Sequence, residues 1–435
     1  MRSGHMLLSE FKVSSFKVFG PQVEFSMKPR TKNYQSLREN IIESGKKKVI
    51  KSTLFYGGNN TGKSSMLEAI MDFKTLVSKG TLEGFPFDLL KNFCYEDEDI
   101  KFEVSFIDED KEITYGVEFN DSKKIGEYLF VDSDLYFSRE KNGEVTGTLF
   151  KINKKISERI YDLPMDKLIL TYVNEYVTNP ETDLFQKVKT FFDKIELIKD
   201  VSKNQIVSKK ILDFATNSLK MKLLNDLISS TELYMDKREL KDEEYVIKNS
   251  YYTRHLSNDS LERLSKIKNG IDGLRMVSYY KDKDGNSLAL PSVLFDSIGT
   301  NKFIVLAMYI IDAILDKKIL LIDEIDSSLH YRLTRALVIL MNSTANRDSQ
   351  FIMTSHDVKL LTPYLFRKDQ LNFMIRDHES VTIVSLDDFK ANTNNDIRSN
   401  TNFEKIYTEE RIVDLPSTNI SNIIKEINEL WENKI

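Results

Sequence analysis

The residues GGNNTGKS, from Gly57 to Ser64, carry the clearest chemistry in the chain: a flexible loop of main-chain N–H donors, then a lysine and a hydroxyl. The spacing is that of a phosphate-binding loop, in which glycines let the backbone curl around a phosphate and the following helix turns its positive end toward it. An apolar run (Ile50–Tyr56, IKSTLFY) precedes the loop and a helix-like run (Ser65–Val77) follows. Lys63 would reach the β- and γ-phosphates and Ser64 would hold Mg²⁺. A second stretch, KILLIDE (Lys318–Glu324), is a continuous apolar run ending in two carboxylates. Such a run suits a strand buried on both faces of a parallel sheet, with Asp323 at the C-terminal end, where ligands of open α/β sheets bind. Asp323 is then a Mg²⁺ ligand, direct or through water, and Glu324 can orient or deprotonate an attacking water.

Two further pieces fall in the same half. FIMTSHD (Phe351–Asp357) is another apolar strand, ending at His356, from which the imidazole could donate to a γ-phosphate. FDSIGTNK (Phe295–Lys302) precedes an apolar helix, Phe303–Leu315. Ser297, Gly299 and Thr300 sit at the helix start, which reads equally as an anion site or as a simple N-cap.

In this order the motifs resemble the ABC-type ATPase head, in which the signature helix of one subunit completes the ATP site of another. The resemblance assigns Gly57, Asn59, Asn60, Thr61, Gly62, Lys63, Ser64 and Ser65 to the Walker A nucleotide cradle. It assigns Asp323 and Glu324 to Walker B and the catalytic glutamate, and Asp326, Ser327, Ser328, Leu329 and His330 to the D-loop. His356 takes the place of the switch histidine. Ser297, Gly299 and Thr300 take the place of the signature, DSIGT instead of LSGGQ. The opening FKVSSFKVFGPQVEF (Phe11–Phe25), EIDSSLH, TSHD and FRKDQLNFM (Phe366–Met374) are similar to the SMC, RecF and OLD-type branch, including ATPases of bacterial abortive-infection and other anti-phage systems. The resemblance implies ATP and Mg²⁺ as cofactors, catalysis by Glu324, His356 and Lys63, and a homodimer or higher oligomer. It further implies a separate nuclease or toxin as effector, with a RecF-like role on DNA as the alternative. Three departures stand out. No Gln occurs between Gln35 and Gln186, so either another group, with Asn92 as the candidate, takes the place of the Mg²⁺-contacting Q-loop residue or none does. Tyr331 follows the D-loop where the branch often has Pro. Thr408–Ser417 matches the family's glycine-containing ending only loosely.

The supporting elements follow from pattern. The chain has 435 residues, 41% hydrophobic and 30% charged, which fits a globular protein with a substantial core. We read no run of membrane-spanning length and no signal peptide, and MRSGH (residues 1–5) as a tag remnant. One cysteine, Cys94, permits no intrachain disulfide, fits a reducing cytoplasm and reads as a buried apolar residue. The net charge of −5 advertises no nucleic-acid field. The basic runs Gly45–Lys51 and Lys151–Lys155 read as solvated surface, with a nucleic-acid groove across a dimer as the alternative. Asp132, Asp134 and Asp97–Glu98 are the carboxylates a self-contained nuclease would need, and read as acidic turns.

The expected fold is α/β, a P-loop head with a mixed sheet, an antiparallel subdomain and a helical insert. Residues 6–150 form the N-terminal lobe, with hairpin strands at 101–107, 112–119, 127–131 and 146–152. Residues 151–272 form the insert, with helices at 182–198, 208–228 and 262–274. Residues 273–435 form the C-terminal lobe. It opens with a hairpin (276–280 and 287–295) around the D-G turn of KDKDGN. It closes with edge strands at 372–376 and 381–386, an asparagine-rich loop at 392–402 and an amphipathic helix at 421–431.

Overall fold

The strand leading into the phosphate loop, Ser52–Tyr56, is buried at every position, so it needs neighbours on both edges and cover on both faces. In the computed structural model it lies inside a six-stranded sheet ordered Ile195–Ile198, Ile319–Ile322, Gln350–Thr354, Ser52–Tyr56, Leu371–Arg376, Val381–Ser385. All pairs are parallel except the last. Thr354 pairs with Phe55 and Ile322 with Met353, so the phosphate-loop, carboxylate and histidine strands end along one edge. The structure describes residues 6–30, 37–149 apart from 93 and 96–97, 154–176, 183–199, 204–242 apart from 232, 274–388 apart from 378–379, and 403–408, with isolated positions beyond.

A seven-stranded antiparallel sheet lies on the other side of the phosphate-loop helix. Its order is Val145–Thr146, Asp134–Arg139, Ile125–Val131, Lys111–Phe119, Ile100–Asp108, Met6–Ser14, Val23–Ser26. The helix, Lys63–Lys79, buries Met66, Leu67, Ala69, Ile70, Phe73, Leu76 and Val77, the spacing of a wide apolar stripe. Phe73 stacks on Phe102 and Tyr115 of the antiparallel sheet and meets the edge of Phe192 from the helix Asp183–Asp193. The helix ends where Gly80 turns left-handed and returns its N–H to the Leu76 carbonyl. Gln350 joins the sheets: its amide accepts from Leu8 N at 2.6 Å and donates to Leu8 O at 2.9 Å, all buried. This is the expected α/β arrangement, a mostly parallel core sheet beside an antiparallel sheet with the phosphate-loop helix between them.

Several details differ from the expectation. The segment 151–272 is not helical throughout. The apolar run 182–198 forms the helix Asp183–Asp193 and then the strand Ile195–Ile198, which pairs with Ile319–Ile322 and gives the core sheet its edge. The run 208–228 is two helices, Asn204–Thr216 and Ser218–Ser229. They break at Asn217, whose side chain accepts from Leu219 N and Lys220 N as an N-cap. Met235–Asp242 is a strand, the edge of a three-stranded sheet with the expected hairpin Leu274–Lys281 and Ser287–Pro291. Of the two strands expected at an edge, Leu371–Arg376 is interior and Val381–Ser385 lies at the edge. After Thr146 the chain leaves the sheet, and Thr148–Leu149 are helical. The expected helices 262–274 and 421–431 and the loop 392–402 fall almost wholly outside the described residues, as does most of Lys151–Lys155.

Contrary to the expectation of no run of membrane-spanning length, the helix Ile298–Asp316 is long and apolar enough to cross a membrane by length and composition. It is the core helix: Phe303 through Ala313 are buried. Its Asp312 takes ion pairs from Lys210 (2.5 Å) and Lys220 (2.6 Å), which fasten the two insert helices to it, and from Lys318 (2.8 Å) ahead of the acidic strand. Burial pushes this carboxyl upward, but the three ammonium donors outweigh that and hold it well below the usual carboxylate range.

The basic run Gly45–Lys51 is largely partnered. Lys47 pairs with Glu112 and Asp132, and Lys48 with Glu43. Lys51 is buried and donates to Ser343 O at 2.8 Å. Burial pushes Lys51 down to about 8, with Glu39 opposing. Below that value folded and unfolded chains both carry the proton and the folded state bears the cost of burying it. As pH rises from about 8 toward the free-lysine value near 10.4, the folded chain sheds the proton first and this contribution to stability grows. Lys51→Met is therefore expected to raise Tm at pH 7, with the gain over wild type shrinking between about pH 8 and 10.4. Thermal melts of both proteins across that range check it; a gain that stays constant with pH contradicts the assignment.

Candidate nucleotide site

The loop Gly57–Gly62 leaves the central strand and enters its helix through Gly62, at φ 98°. A Cβ there would lie 2.8 Å from Val18 Cγ2, so only glycine fits. Gly62 brings no side-chain acceptor to the helix N-terminus, so the first-turn N–H groups of Lys63, Ser64 and Ser65 are left for an external anion. Lys63 is 7% exposed and donates to the carbonyls of Gly57 (2.9 Å) and Gly58 (2.8 Å), closing its side chain over the loop. Burial pushes its ammonium down in pKa, against the pull of Asp323, Glu324 and Asp326. Thr61 Oγ1 donates to Gly58 O at 2.9 Å, and Asn60 holds a left-handed φ of 63°. Asn59 lies exposed at the loop tip.

The acidic strand delivers Asp323 to this loop. Ser64 Oγ lies 3.1 Å from Asp323 Oδ1, and Thr354 Oγ1 donates to the same oxygen at 2.7 Å. Thr354 Oγ1 also accepts the Glu324 N–H at 2.7 Å, so one hydroxyl aligns both carboxylate residues. Glu324 has φ 49°, a left-handed conformation that a side chain adopts at a cost, and one found at functional turns. Asp326 accepts the His356 N–H at 3.2 and 3.3 Å, tying the end of the histidine strand to the turn after Glu324 while the imidazole stays exposed. Ser64 and Asp323 bring a hydroxyl and a carboxylate within 3.1 Å of each other, hard oxygen donors of the kind a Mg²⁺ ion takes, and Thr354 orients the carboxylate.

The expected catalytic and phosphate-loop residues thus converge at one sheet edge. The signature residues do not join them within the chain. Ser297 caps the helix Ile298–Asp316 by accepting from Thr300 N at 3.0 Å. Among the described residues no hydrogen bond links Ser297, Gly299 or Thr300 to residues 57–65. They line a groove of about 1110 Å³ with Ser328, His330 and Arg332, and Ile298 is 80% exposed beside it.

Two expectations fail. Asn92 is buried and spent on local structure, donating to Lys17 O at 2.7 Å and accepting from Cys94 N at 2.7 Å, so it offers no group to a metal. Cys94 is exposed, not buried. Asp132, one of the weighed nuclease carboxylates, caps a turn by accepting from Glu112 N and Lys47, and Asp97 lies outside the described residues. Two site residues were missed. Thr354 could have been found as the strand-end hydroxyl two residues before His356. Arg376, at the end of strand Leu371–Arg376, donates to Asn60 O at 2.8 Å and pins the loop; its strand-end position was the signal.

A protein-family model described as "AAA domain, putative AbiEii toxin, Type IV TA system" matches residues 52–362, more than two thirds of the chain. Comparison with curated proteins finds no match. Solved structures similar to the chain include an SMC head bound to the C-winged helix domain of ScpA, at 13% identity and a TM-score of 0.46. Others are the SMC head domain from Thermotoga maritima (14%, 0.43) and an SMC head with an extended coiled coil bound to the C-terminal domain of ScpA derived from Pyrococcus furiosus (12%, 0.42). Each comparison covers 87% of this chain and 98%, 98% and 96% of the respective solved chain.

Proposed function

The chain belongs to the AAA-domain family of the AbiEii-toxin type, and from that premise we propose that it is an ATP-hydrolysing switch that closes as a head-to-head dimer and controls a separate effector, a nuclease or toxin, in anti-phage defence. The observation that carries the reading is the convergence of Lys63, Ser64, Asp323, Thr354 and Glu324, with Ser64 and Asp323 3.1 Å apart across a sequence separation of 259. Ser64 and Asp323 would hold Mg²⁺, which when bound neutralises charge on the transferring phosphoryl group. Lys63 and the first-turn N–H groups bind the phosphates. Glu324 orients the water and accepts its proton, and His356 donates to the terminal phosphate. Ser297 and Gly299 of the partner subunit would close the site with a helix N-terminus, which accounts for a signature that stands apart from the loop within one chain. ATP itself follows from the family, because a phosphate loop reads phosphates and not bases.

The single cysteine fits a cytoplasmic setting. The test is capture of tagged Glu324→Gln protein from its host, with bound proteins identified by mass spectrometry. A stoichiometric nuclease or toxin-like protein is the expected result. Recovery of chromosomal DNA with recombination or replication proteins would replace this reading with the RecF-like role.

A further inference from the structure

The first two turns of the signature helix touch the catalytic turn of their own chain. Lys302 Nζ donates to the Glu324 carbonyl at 2.9 Å. Three residues earlier in the helix, a Cβ on Gly299 would lie 2.5 Å from the Ser328 carbonyl, so the helix start and the D-loop are in van der Waals contact through a glycine. The two residues contacted, Glu324 (φ 49°) and Ser328 (φ 61°), are both left-handed, a conformation that persists only where neighbours impose it. The helix start is itself anchored from behind. The Asp296 carboxylate, fully shielded, accepts from Arg238 (2.7 Å), Ser278 (2.7 Å) and Tyr280 (2.7 Å) of the three-stranded sheet, and Arg238 also donates to Asn301 (2.5 Å). A side chain reaching from a braced helix to a main-chain carbonyl moves that carbonyl when the helix moves.

We infer that Lys302 is a positioning residue for Glu324, coupling the signature helix of a chain to the water-activating turn of the same chain. A signature that engages a partner copy's nucleotide would then adjust its own chain's Glu324, linking the two sites of the dimer. The inference rests on the ATPase reading above.

The test compares wild type, Lys302→Met and Lys302→Arg. Lys302→Met is expected to lower kcat roughly 10-fold, since sub-ångström misplacement of a catalytic group is costly, with ATP affinity and Tm unchanged. Lys302→Arg, which keeps a donor, should recover most of the loss. In the Glu324→Gln background Lys302→Met should reduce the residual turnover no further, because its effect runs through Glu324. In nucleotide-free protein, amide exchange across residues 323–328 should be faster in Lys302→Met. Unchanged kcat, an equal loss in the Glu324→Gln background, or unchanged exchange overturns the inference. Absence of turnover in wild type would remove the ATPase reading and this coupling with it, an outcome distinct from a wild type that turns over and a variant that matches it.

Discussion

Replacing Glu324 with Gln is expected to cut ATP turnover by roughly 10²–10⁴-fold, the range for loss of a positioned general base. The substitution keeps the side chain's shape and leaves intact the Glu324 N–H bond to Thr354 Oγ1 at 2.7 Å and the Lys302 bond to its carbonyl. What it removes is the proton acceptor at the end of the acidic strand. Lys63, Ser64 and Asp323 are untouched, so nucleotide and Mg²⁺ binding should persist. A site that binds ATP and cannot hydrolyse it accumulates in the state ATP favours, here the closed pair of chains. Light scattering of the variant at saturating Mg-ATP should report twice the mass of the nucleotide-free protein, with the wild type returning to the smaller species as ATP is consumed. A mass that stays at one chain would reject the dimer proposal while leaving the ATPase assignment standing. Unchanged turnover would instead reject Glu324 as the base.

What the sequence disclosed of this site, and what it withheld, divides by how local the signal is. The loop Gly57–Ser65, the strand Ile319–Ile322 ahead of Asp323 and the strand Gln350–Thr354 ahead of His356 each carry pattern and chemistry within a few residues. Their function needed only that the three strands be neighbours, which a parallel sheet provides. Thr354 showed locally only as a strand-end hydroxyl; what makes it matter is its bonds to Asp323 and Glu324, 31 and 30 residues away. The edge strand Ile195–Ile198 escaped because its apolar residues continue the pattern of the preceding helix, and only pairing with Ile319–Ile322 makes it a strand. The exposure of Cys94 and the commitment of Asn92 to Lys17 O were settled by packing, to which a single residue type is a poor guide. The Ser297 cap, by contrast, was readable as a helix start, and the same atoms serve as cap and as candidate anion site.

The sharpest check on the phosphate loop is Lys63→Met. Lys63 is an awkward residue for the nucleotide-free fold: burial disfavours its ammonium, and that outweighs the pull of Asp323, Glu324 and Asp326. Its hydrogen bonds to Gly57 O and Gly58 O satisfy the buried cation. A methionine of similar length fills the same space with no charge to bury, so the Tm of nucleotide-free Lys63→Met should equal or exceed that of wild type. Its effect on ligand binding runs the other way. A buried charge-assisted contact to phosphate is worth up to about 3 kcal/mol, or about 100-fold in Kd. At Mg-ATP held 100-fold above the wild-type Kd, wild type should gain about 2.7 kcal/mol of stability. The variant, with Kd near that concentration, should gain only about 0.4 kcal/mol. Thermal melts with and without Mg-ATP separate the two effects in one experiment. A variant that keeps the wild-type shift would mean that the phosphates do not rest on this loop, whereas a variant that melts lower without nucleotide would make Lys63 a structural residue of the fold.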